Sequence, residues 1–372
     1  MNNLVVGAGL SGAILANLIA NIFNEKVLVI DRRSNIAGNV FDYKDKNTNI
    51  TVHKYGPHIF HTNNKNVWDF LSKYTKWNYY FFKPQAVIEG KSVTIPFNLT
   101  TLYEVFSSSM AQQIETKLIS KYGYGSSVPI LTLKNESDKD LKFIADYIYQ
   151  NMFENYTCKQ WGLKPDEIDP SITSRVPIVI SRDNRYFHDK YQGIPINGYS
   201  KMIENILKHP NIKLELNTDY KDICSKKYDR IFYSGSIDEF FDYKYGQLPY
   251  RSLDFDIQTI NKEYYQNTSM VNYPNNYDFT RITEHKYFLD EKYDKTVISV
   301  EYPQPFILGK NERYYPIKNS ETDDLYSKYK EEAGKIQGLY FIGRLGEYKY
   351  YNMDQAVERI FEIFEKIGET NA

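Results

Sequence analysis

The sequence is poor in cysteine and carries almost no net charge. Its 372 residues include two cysteines, Cys158 and Cys224, and the formal net charge is −1. Two cysteines this far apart suit neither a disulfide framework nor a metal site, so we expect no metal and a reducing, cytoplasmic location. Balanced charge gives no general attraction to nucleic acid or to an anionic membrane, so neither is expected as a partner.

Charged side chains are also missing from residues 4–23. Such a segment superficially resembles a signal peptide or a membrane span. However, no Lys or Arg precedes it, and three glycines, one serine and two asparagines interrupt it. These features favour a buried strand, a tight turn and a helix. A chain of this length can bury a substantial core and is expected to hold more than one domain.

A glycine-rich turn lies inside this segment. Residues 3–6 form an apolar strand candidate, residues 7–12 read GAGLSG, and apolar residues at helical spacing follow. In this G-x-G-x-x-G pattern Gly7 permits the tight turn, Gly9 lets a pyrophosphate approach the backbone, and Gly12 allows the helix to pack closely on the strand. The helix N-terminus offers N–H groups to the phosphates. The pattern in this context predicts a dinucleotide-binding unit.

Asp31 strengthens the prediction of dinucleotide binding, because it ends the apolar run at residues 27–30, where an acid accepts hydrogen bonds from a ribose. Two further features indicate that the dinucleotide is FAD. Residues 32–39 read RRSNIAGN and extend the unit with a small-residue turn, as in flavoproteins that fold a second loop around the pyrophosphate. Near the C-terminus, a strand candidate at residues 339–343 leads into Arg344, which we expect at the ribityl and flavin end of the cofactor.

The hydrophobic pattern of the remaining chain changes several times. Residues 100–122 and 139–162 have helical periodicity, whereas residues 245–303 alternate β-branched or aromatic residues with polar ones, which indicates an antiparallel sheet. Residues 211–233 again resemble short strands of the nucleotide domain, and a helix is predicted from about Met353, with Asn352 and Gln355 spaced as in a capping box. The predicted fold class is α/β plus α+β, a Rossmann-like FAD-binding domain with a helical insertion and an antiparallel sheet domain.

The predicted domains are discontinuous. The FAD-binding domain comprises residues 1–78, 190–243 and 317–372, and the helical domain comprises residues 97–165. The antiparallel sheet domain comprises residues 79–96, 166–189 and 244–316, with a mobile lid near 161–178.

Several sequence strings, in the same order and from one end of the chain to the other, resemble the UDP-galactopyranose mutase family. They are KYGPHIFHTN at 54–63, YTCKQWG at 156–162, YQGIP at 191–195, YRSL at 250–253, TRITEHK at 280–286 and GRLGEYKYY at 343–351. The resemblance implies that reduced flavin acts as a nucleophile on the anomeric carbon of a nucleotide sugar. A covalent flavin–sugar (iminium) intermediate then recloses with the other ring size and no net redox change. UDP-galactose is the default substrate, and the enzyme class is an isomerase.

The resemblance also implies roles for particular residues. Arg175 and Arg251 match the arginines that clamp the diphosphate, and Tyr186, Tyr315 and Tyr350 match tyrosines around the phosphates. The other implied substrate positions are Phe82, Tyr156 and Trp161 near the base, sugar or lid, and Asn272, Arg281, Glu301 and Asn352, while His61 matches a histidine beside the flavin. The cofactor positions are Gly7, Gly9, Leu10, Ser11, Gly12, Asp31, Arg32, Gly38, Asn39, His58, Ile59, Tyr220, Arg344 and Met353.

The chain departs from the family pattern at four residues. Three of them are positions named above, and the fourth, Ala37, is next to Gly38. Phe82 stands where the family carries an Asn that reaches the sugar hydroxyls, and a phenyl ring accommodates a methyl group better than a hydroxyl. Asn352 replaces an Asp, Asp31 replaces the more usual Glu, and Ala37 replaces a Gly. The Phe82 substitution predicts a 6-deoxysugar, so a dTDP-fucopyranose mutase of the same mechanism is the first alternative.

Two alternatives of other classes remain. A flavin oxidoreductase of the amine-oxidase type would share the N-terminal unit, and a catalytically inactive binding protein would share the whole fold. For the mutase, the expected partners are a nucleotide-diphosphate sugar and an external flavin reductant such as NAD(P)H, and the family allows a homodimer. Its product would serve the synthesis of a cell-surface polysaccharide such as O-antigen.

Overall fold

The structure, a computed structural model, describes residues 2–162, 177–223 and 227–371. Arg175 and most of the predicted lid near 161–178 lie outside the described residues, as does the side chain of Trp161. Within the described part the chain divides into two compact units. The first unit contains residues 1–80, 189–250 and 308–372, and the second contains residues 81–188 and 251–307.

The strands of the described residues are numbered here in chain order. They are β1 (Asn2–Val6), β2 (Lys26–Asp31), β3 (Asp42–Lys44), β4 (Thr51–His53), β5 (Phe60–Thr62), β6 (Trp77–Asn78), β7 (Gln85–Ile88), β8 (Lys91–Thr94), β9 (Ser127–Val128), β10 (Ile178–Val179), β11 (Tyr191–Pro195), β12 (Ile212–Leu216), β13 (Arg230–Tyr233), β14 (Tyr250–Ile260), β15 (Met270–Asn272), β16 (Arg281–Glu284), β17 (Thr296–Pro305), β18 (Tyr315–Pro316) and β19 (Leu339–Phe341).

The α-helices are numbered in the same way. They are α1 (Leu10–Ile22), α2 (Lys65–Ser72), α3 (Leu99–Val105), α4 (Ser108–Tyr122), α5 (Ile130–Lys134), α6 (Lys139–Ile148), α7 (Asn155–Trp161), α8 (Tyr199–Leu207), α9 (Ile237–Phe240), α10 (Ser320–Gly334), α11 (Gly343–Gly346) and α12 (Met353–Asn371). A π-helix (Tyr149–Glu154) joins α6 to α7. No helix in the described ranges combines the length and the apolar character needed to cross a membrane.

The first unit is built on a five-stranded parallel sheet with the order β12-β2-β1-β13-β19. Its central strands are apolar because both faces of the sheet are covered, and Leu4, Val29 and Phe232 are fully buried. Helix α1 packs with α8 and α12. The strand predictions at 3–6, 27–30 and 211–233 and the helix predictions from Leu10 and Met353 are confirmed. The last strand ends at Phe341, and helix α11 begins at Gly343, inside the predicted strand.

The second unit combines a sheet with a helical part. Strands β14, β17, β16, β15, β7 and β8 are neighbours in that order. Every pair is antiparallel except β15 with β7, which is parallel, so the predicted antiparallel sheet is present and contains one parallel pair that was not predicted. The reason is that β7 comes from a distant part of the sequence and does not follow β15 through a hairpin.

The helical part of the second unit has a core of its own. Helices α3, α4, α5 and α6 bury apolar residues at helical spacing, including Leu102, Ile114, Leu133 and Ile144. Asn98 caps α3 in a capping box, and Asp138 caps α6 through its side chain. The helical prediction for residues 100–122 and 139–162 is therefore confirmed over the helices that the structure describes.

Candidate active site

A cavity of about 270 Å³ lies in the first unit at the carboxyl ends of its parallel strands. Ligands of open parallel sheets bind at this edge. The predicted cofactor residues line it, except Ile59, which is buried elsewhere in the unit. These lining residues are Gly7, Gly9, Leu10, Ser11, Gly12, Asp31, Arg32, Gly38, Asn39, His58, Tyr220, Arg344 and Met353, and the predicted substrate residue Asn352 lines the cavity with them.

The three glycines of the turn have different reasons to be glycine. Gly7 has φ +108°, and a Cβ there would lie 2.0 Å from the Ser234 hydroxyl oxygen. A Cβ on Gly12 would lie 2.0 Å from the Gly7 carbonyl oxygen. A Cβ on Gly9, by contrast, would come no closer than 3.6 Å to the protein, at Gly38, yet Gly9 lines the cavity. Packing within the chain therefore requires Gly7 and Gly12, whereas the space above Gly9 fits a ligand.

The acid at the end of β2 ties two loops together. One carboxylate oxygen of Asp31 accepts a hydrogen bond from the Ala8 N–H at 2.9 Å, and the other accepts one from the Arg33 N–H at 2.9 Å. The carboxylate thus faces the cavity while it also fixes the glycine turn. Since each oxygen has a second lone pair, it retains acceptor capacity for a ribose hydroxyl. Helix α1 begins next to the turn without a side-chain cap and without an acid in its first turn, which suits an anionic group at its N-terminus. The cavity therefore fits a dinucleotide.

An ion-pair network on the cavity wall was not predicted from the sequence. Arg313 donates to Glu239 at 2.8 Å, Arg32 donates to the same carboxylate at 3.2 Å, and Arg33 donates to Glu312 at 3.1 Å. Burial acts against the charge on Arg32, but the carboxylates of Glu239 and Glu312 hold the pKa of Arg32 above its ordinary value. Burial also opposes the charge on Glu312, yet Arg33 and Arg32 hold its pKa below the usual range. Glu239 and Glu312 are therefore matched by arginines.

Other unpredicted lining residues come from loops far apart in the sequence. Thr218 and Asp219 follow β12, Tyr233 ends β13 and Ser234 follows it. The sequence carried one usable signal, since residues 211–233 already resembled short strands of the nucleotide domain. Glu312 and Arg313 carried no such signal.

Arg344 and two predicted substrate tyrosines form a cluster in the first unit. The guanidinium carbon of Arg344 lies 4.7 Å from the Tyr350 ring centroid and 5.4 Å from that of Tyr315. The two rings are stacked with centroids 5.9 Å apart. Arg344 also donates to the carbonyl oxygens of Tyr351 at 2.9 Å and of Tyr314 at 3.3 Å. The structure thus brings together residues predicted for cofactor and for substrate.

The histidines of the first unit lie in two separate settings. Nδ1 of His61 is 2.9 Å from a carboxylate oxygen of Asp189, so the ring is oriented by an acid. Nδ1 of His58 is 2.8 Å from the Gly56 carbonyl oxygen, which makes Nδ1 the protonated ring nitrogen. The fully buried His53 accepts the His58 backbone N–H at 3.1 Å, and burial lowers the pKa of His53 to about 3.

Arg251 lies in the second unit and is held by backbone oxygens. Its Nε donates to the Gln160 carbonyl at 3.0 Å and its Nη2 to the Lys159 carbonyl at 3.3 Å. Burial lowers the pKa of Arg251, although an arginine remains charged at neutral pH. The two carbonyls lie at the end of α7, the helix that also carries the half-buried Tyr156. The cation is thus attached to the helix that precedes the predicted lid.

Three further predicted residues lie side by side on the sheet of the second unit. Asn272 is opposite Arg281, and Arg281 is opposite Glu301 in the strand register. Both Nε and Nη2 of Arg281 contact one oxygen of Glu301, at 2.8 Å and 2.7 Å. The Asn272 side-chain oxygen is buried and has no hydrogen-bond partner among the described residues. This row of polar groups is suited to hold a polar ligand atom.

Phe82 is buried in an aromatic group of the second unit. Its ring lies 5.5 Å from that of Tyr186 and 5.9 Å from that of Phe187, and its carbonyl accepts the Tyr186 N–H at 2.8 Å. Only 4% of Phe82 is exposed. The predicted sugar-contacting Phe82 and the predicted phosphate-contacting Tyr186 are therefore neighbours.

Comparison with known sequences identifies the family. The sequence model described as UDP-galactopyranose mutase matches residues 151–350, and the NAD(P)-binding Rossmann-like domain matches residues 5–74. The chain is 38% identical to a Klebsiella pneumoniae protein named "Probable UDP-galactopyranose mutase", over 96% of this chain and 93% of that one. The chain belongs to the UDP-galactopyranose mutase family. A dTDP-fucopyranose mutase of Escherichia coli is 36% identical over 96% of both chains, so the family includes mutases named for different sugars.

Solved structures agree with this family at the level of the fold. The crystal structure of a reduced UDP-galactopyranose mutase has a TM-score of 0.76 and 13% identity, and the match covers 99% of this chain and 94% of that one. A redesigned putrescine oxidase has a TM-score of 0.55 and 10% identity, and the match covers 98% of both chains. The predicted fold class and the predicted family are confirmed. Mutases are isomerases, so the chain is an enzyme of that class.

Proposed function

We propose that this chain is a flavin-dependent mutase that interconverts UDP-galactopyranose and UDP-galactofuranose, with FAD as its cofactor. The observation that carries the proposal is the cavity at the ends of the parallel strands, lined by Gly9, Asp31 and Arg344. The turn and the α1 N-terminus would hold the pyrophosphate, and Asp31 would accept a ribose hydroxyl. An oxidase could use the same cavity, but the family of the chain is that of the mutases.

The chemistry that the flavin supplies when bound and reduced is nucleophilic attack on the anomeric carbon, without net redox change. The residues of this chain would stabilise the negative charge of the departing nucleoside diphosphate. The Arg251 guanidinium and the predicted Arg175 would bind phosphate oxygens, and the hydroxyls of Tyr186, Tyr315 and Tyr350 would donate to them without adding charge.

The other predicted residues have orienting roles in this proposal. Tyr156 would stack on the base, with Trp161 on a segment that closes over the substrate. Asn272, Arg281 and Glu301 would contact the sugar side of the site, and His61, held by Asp189, would lie beside the flavin. We also propose that an external donor such as NAD(P)H reduces the flavin, and that the enzyme is cytoplasmic, forms a homodimer and serves a cell-surface polysaccharide pathway such as O-antigen synthesis.

Two measurements test the proposal. Heating the purified protein should release FAD, identified by chromatography. The dithionite-reduced protein should then convert UDP-galactofuranose into UDP-galactopyranose, separated by ion-pair chromatography, whereas the oxidised protein should be inactive. Stoichiometric bleaching of the flavin by an amine, together with no ring isomerisation, would overturn the mutase in favour of an oxidase.

A second candidate substrate is dTDP-fucopyranose. The observation that favours it is the burial of Phe82 in an aromatic group, which provides apolar surface where the family offers a hydrogen-bonding Asn. An unsatisfied buried hydroxyl costs about 1–3 kcal/mol, or roughly five- to a hundred-fold in kcat/KM, so a 6-deoxysugar should be preferred if this ring faces C6. Assays of the reduced enzyme with both nucleotide sugars decide between the two, since a strong preference for UDP-galactose excludes the deoxysugar.

A further inference from the structure

Arg344 links the cofactor cavity to the tyrosine pair. It lines the cavity, and its guanidinium carbon lies within 5.4 Å of the ring centroids of both Tyr315 and Tyr350. A guanidinium at this distance from an aromatic ring is attracted by the ring quadrupole. One cation therefore interacts with both rings and contributes to the wall of the cavity.

The hydrogen bonds that the Arg344 side chain donates to backbone carbonyls hold the two segments that carry Tyr350 and Tyr315. Nη2 donates to the carbonyl of Tyr351, and Nη1 donates to the carbonyl of Tyr314. These carbonyls belong to the residues next to Tyr350 and Tyr315 in the chain. Among the described residues no carboxylate forms an ion pair with Arg344, so its charge is available to the rings and to an anion.

The turn that carries Tyr350 is anchored from its other side. Tyr348 is fully buried, and the single proton of its hydroxyl lies between two acceptors, the carbonyl oxygen of Ile317 at 2.6 Å and that of Pro249 at 2.9 Å from the hydroxyl oxygen. Its φ of +45° lies in the left-handed region, which is unfavourable for a residue with a Cβ. The surroundings therefore fix the turn, and the ring of Tyr350 contacts Arg344 and stacks on Tyr315.

We propose that Arg344 is a positioning residue that couples occupation of the cofactor cavity to binding of the nucleoside diphosphate. The inference rests on the proposed function, in which Tyr315 and Tyr350 donate to the phosphates. A ligand in the cavity restricts Arg344, Arg344 aligns the two rings, and the aligned hydroxyls bind the diphosphate with less loss of conformational entropy. Coupling of this kind is reciprocal, so the diphosphate also stabilises the bound cofactor.

The first test measures UDP affinity of the oxidised holoenzyme by calorimetry for the wild type, Arg344→Lys, Tyr350→Leu and the double variant. Lysine keeps the charge but not the planar face. We expect Arg344→Lys to bind UDP five- to thirty-fold more weakly, or about 1–2 kcal/mol at 1.4 kcal/mol per tenfold. The double variant should bind UDP more weakly than Tyr350→Leu by a smaller factor than Arg344→Lys costs on its own, because part of the effect of Arg344 is exerted through the Tyr350 ring and part through Tyr315. Losses that multiply in the double variant would refute the coupling.

The second test remains decisive if Arg344→Lys fails to retain cofactor. Flavin release from the wild type and from Tyr350→Leu, which keeps Arg344, is followed by fluorescence with and without UDP. UDP should slow release several-fold in the wild type and by a clearly smaller factor in Tyr350→Leu, which keeps only the contact of Arg344 with Tyr315. Equal protection of both proteins would overturn the proposal. Tyr103→Leu is the matched control, because Arg182 lies 5.0 Å from the Tyr103 ring and neither residue lines the cavity. This variant should behave as the wild type.

The two proposals fail in distinguishable ways. A wild type that neither binds UDP nor isomerises a nucleotide sugar refutes the mutase. A wild type that does both, but shows multiplicative losses in the double variant or equal UDP protection of flavin in Tyr350→Leu, refutes only the coupling role of Arg344.

Discussion

The guanidinium of Arg251 occupies the space that a side chain at Gly162 would need. A Cβ on Gly162 would lie 2.6 Å from Nη1 of Arg251 and 2.9 Å from its central carbon. Gly162 ends α7 with φ +65°, in the left-handed conformation that favours glycine. One residue thus both terminates the helix and leaves room for the proposed phosphate-binding cation.

Gly162→Ala should therefore displace Arg251 and raise the KM for the nucleotide sugar by roughly tenfold, the equivalent of about 1.4 kcal/mol. Flavin content should not change. Gly123→Ala is the control, because Gly123 also ends a helix with positive φ but has no atom within 4 Å of the Cβ position. If both variants raise KM equally, backbone strain and not displacement of Arg251 is responsible.

Substitutions at two glycines of the turn should have different effects, since one should lower the stability of the fold and the other should lower flavin binding. Gly12→Ala forces a methyl group against the Gly7 carbonyl and should destabilise the fold by at least about 1–3 kcal/mol. Gly9→Ala makes only ordinary contacts with the protein, so its unfolding temperature without flavin should stay near that of the wild type while flavin retention falls. The ratio of flavin to protein absorbance and a thermal melt measure the two effects. A Gly9→Ala protein with full flavin content would contradict the assigned role of this position.

The buried His53 predicts a pH dependence of stability. Because its pKa is about 3 when folded and about 6.5 in an unfolded chain, the unfolded state binds a proton first as the pH falls. The stability that His53 contributes is complete above pH 6.5 and is lost progressively toward pH 3, with about 2 kcal/mol lost between pH 7 and pH 5.

His53→Asn keeps a hydrogen-bond acceptor for the His58 N–H but does not titrate. Urea unfolding at pH 7 and pH 5 should therefore show a smaller loss of stability for this variant than for the wild type. His188→Gln, at a half-exposed histidine of the second unit, should keep the wild-type pH dependence. An unchanged pH dependence in His53→Asn would show that this histidine is not the titrating group.

Removing the carboxylate charge should lower the free energy of unfolding more in the buried pair of Arg281 and Glu301 than in a more exposed ion pair. Glu301 is 2% exposed, so Glu301→Gln leaves a partly buried cation without its counter-charge and should cost about 3 kcal/mol of unfolding free energy. Glu115 pairs with Arg182, which is 49% exposed, and Glu115→Gln should cost less than about 1 kcal/mol. Denaturant unfolding compares them, and equal costs would argue that the Arg281 pair is solvated.

Local signals in the sequence identified much of the fold and part of the site. The glycine turn, the strand before it and Asp31 lie within one short segment, and their structure follows from local geometry. The capping prediction at Asn352 was also local, and the Gln355 side chain does accept the Asn352 N–H at 3.0 Å. Such features need no knowledge of distant contacts.

The features that were missed depend on distant parts of the chain. The network of Glu239, Glu312 and Arg313 joins loops that only the folded sheet brings together. The parallel pairing of β15 with β7 is similarly non-local. In a single sequence these charges look like ordinary surface residues, because opposite charges at large separation carry no signal of pairing.

The order of strands in the first unit determines at which stage of protein synthesis its cavity can form. Within this sheet the central strand β1 leaves the ribosome before the other strands, its neighbour β13 emerges only after β12, and the edge strand β19 emerges last. Arg344 and Met353, which complete the cavity wall, follow β19. The nascent chain must therefore carry an apolar central strand without its neighbour β13 until Tyr233 has been made, and the cavity can bind a cofactor only after Met353 has emerged.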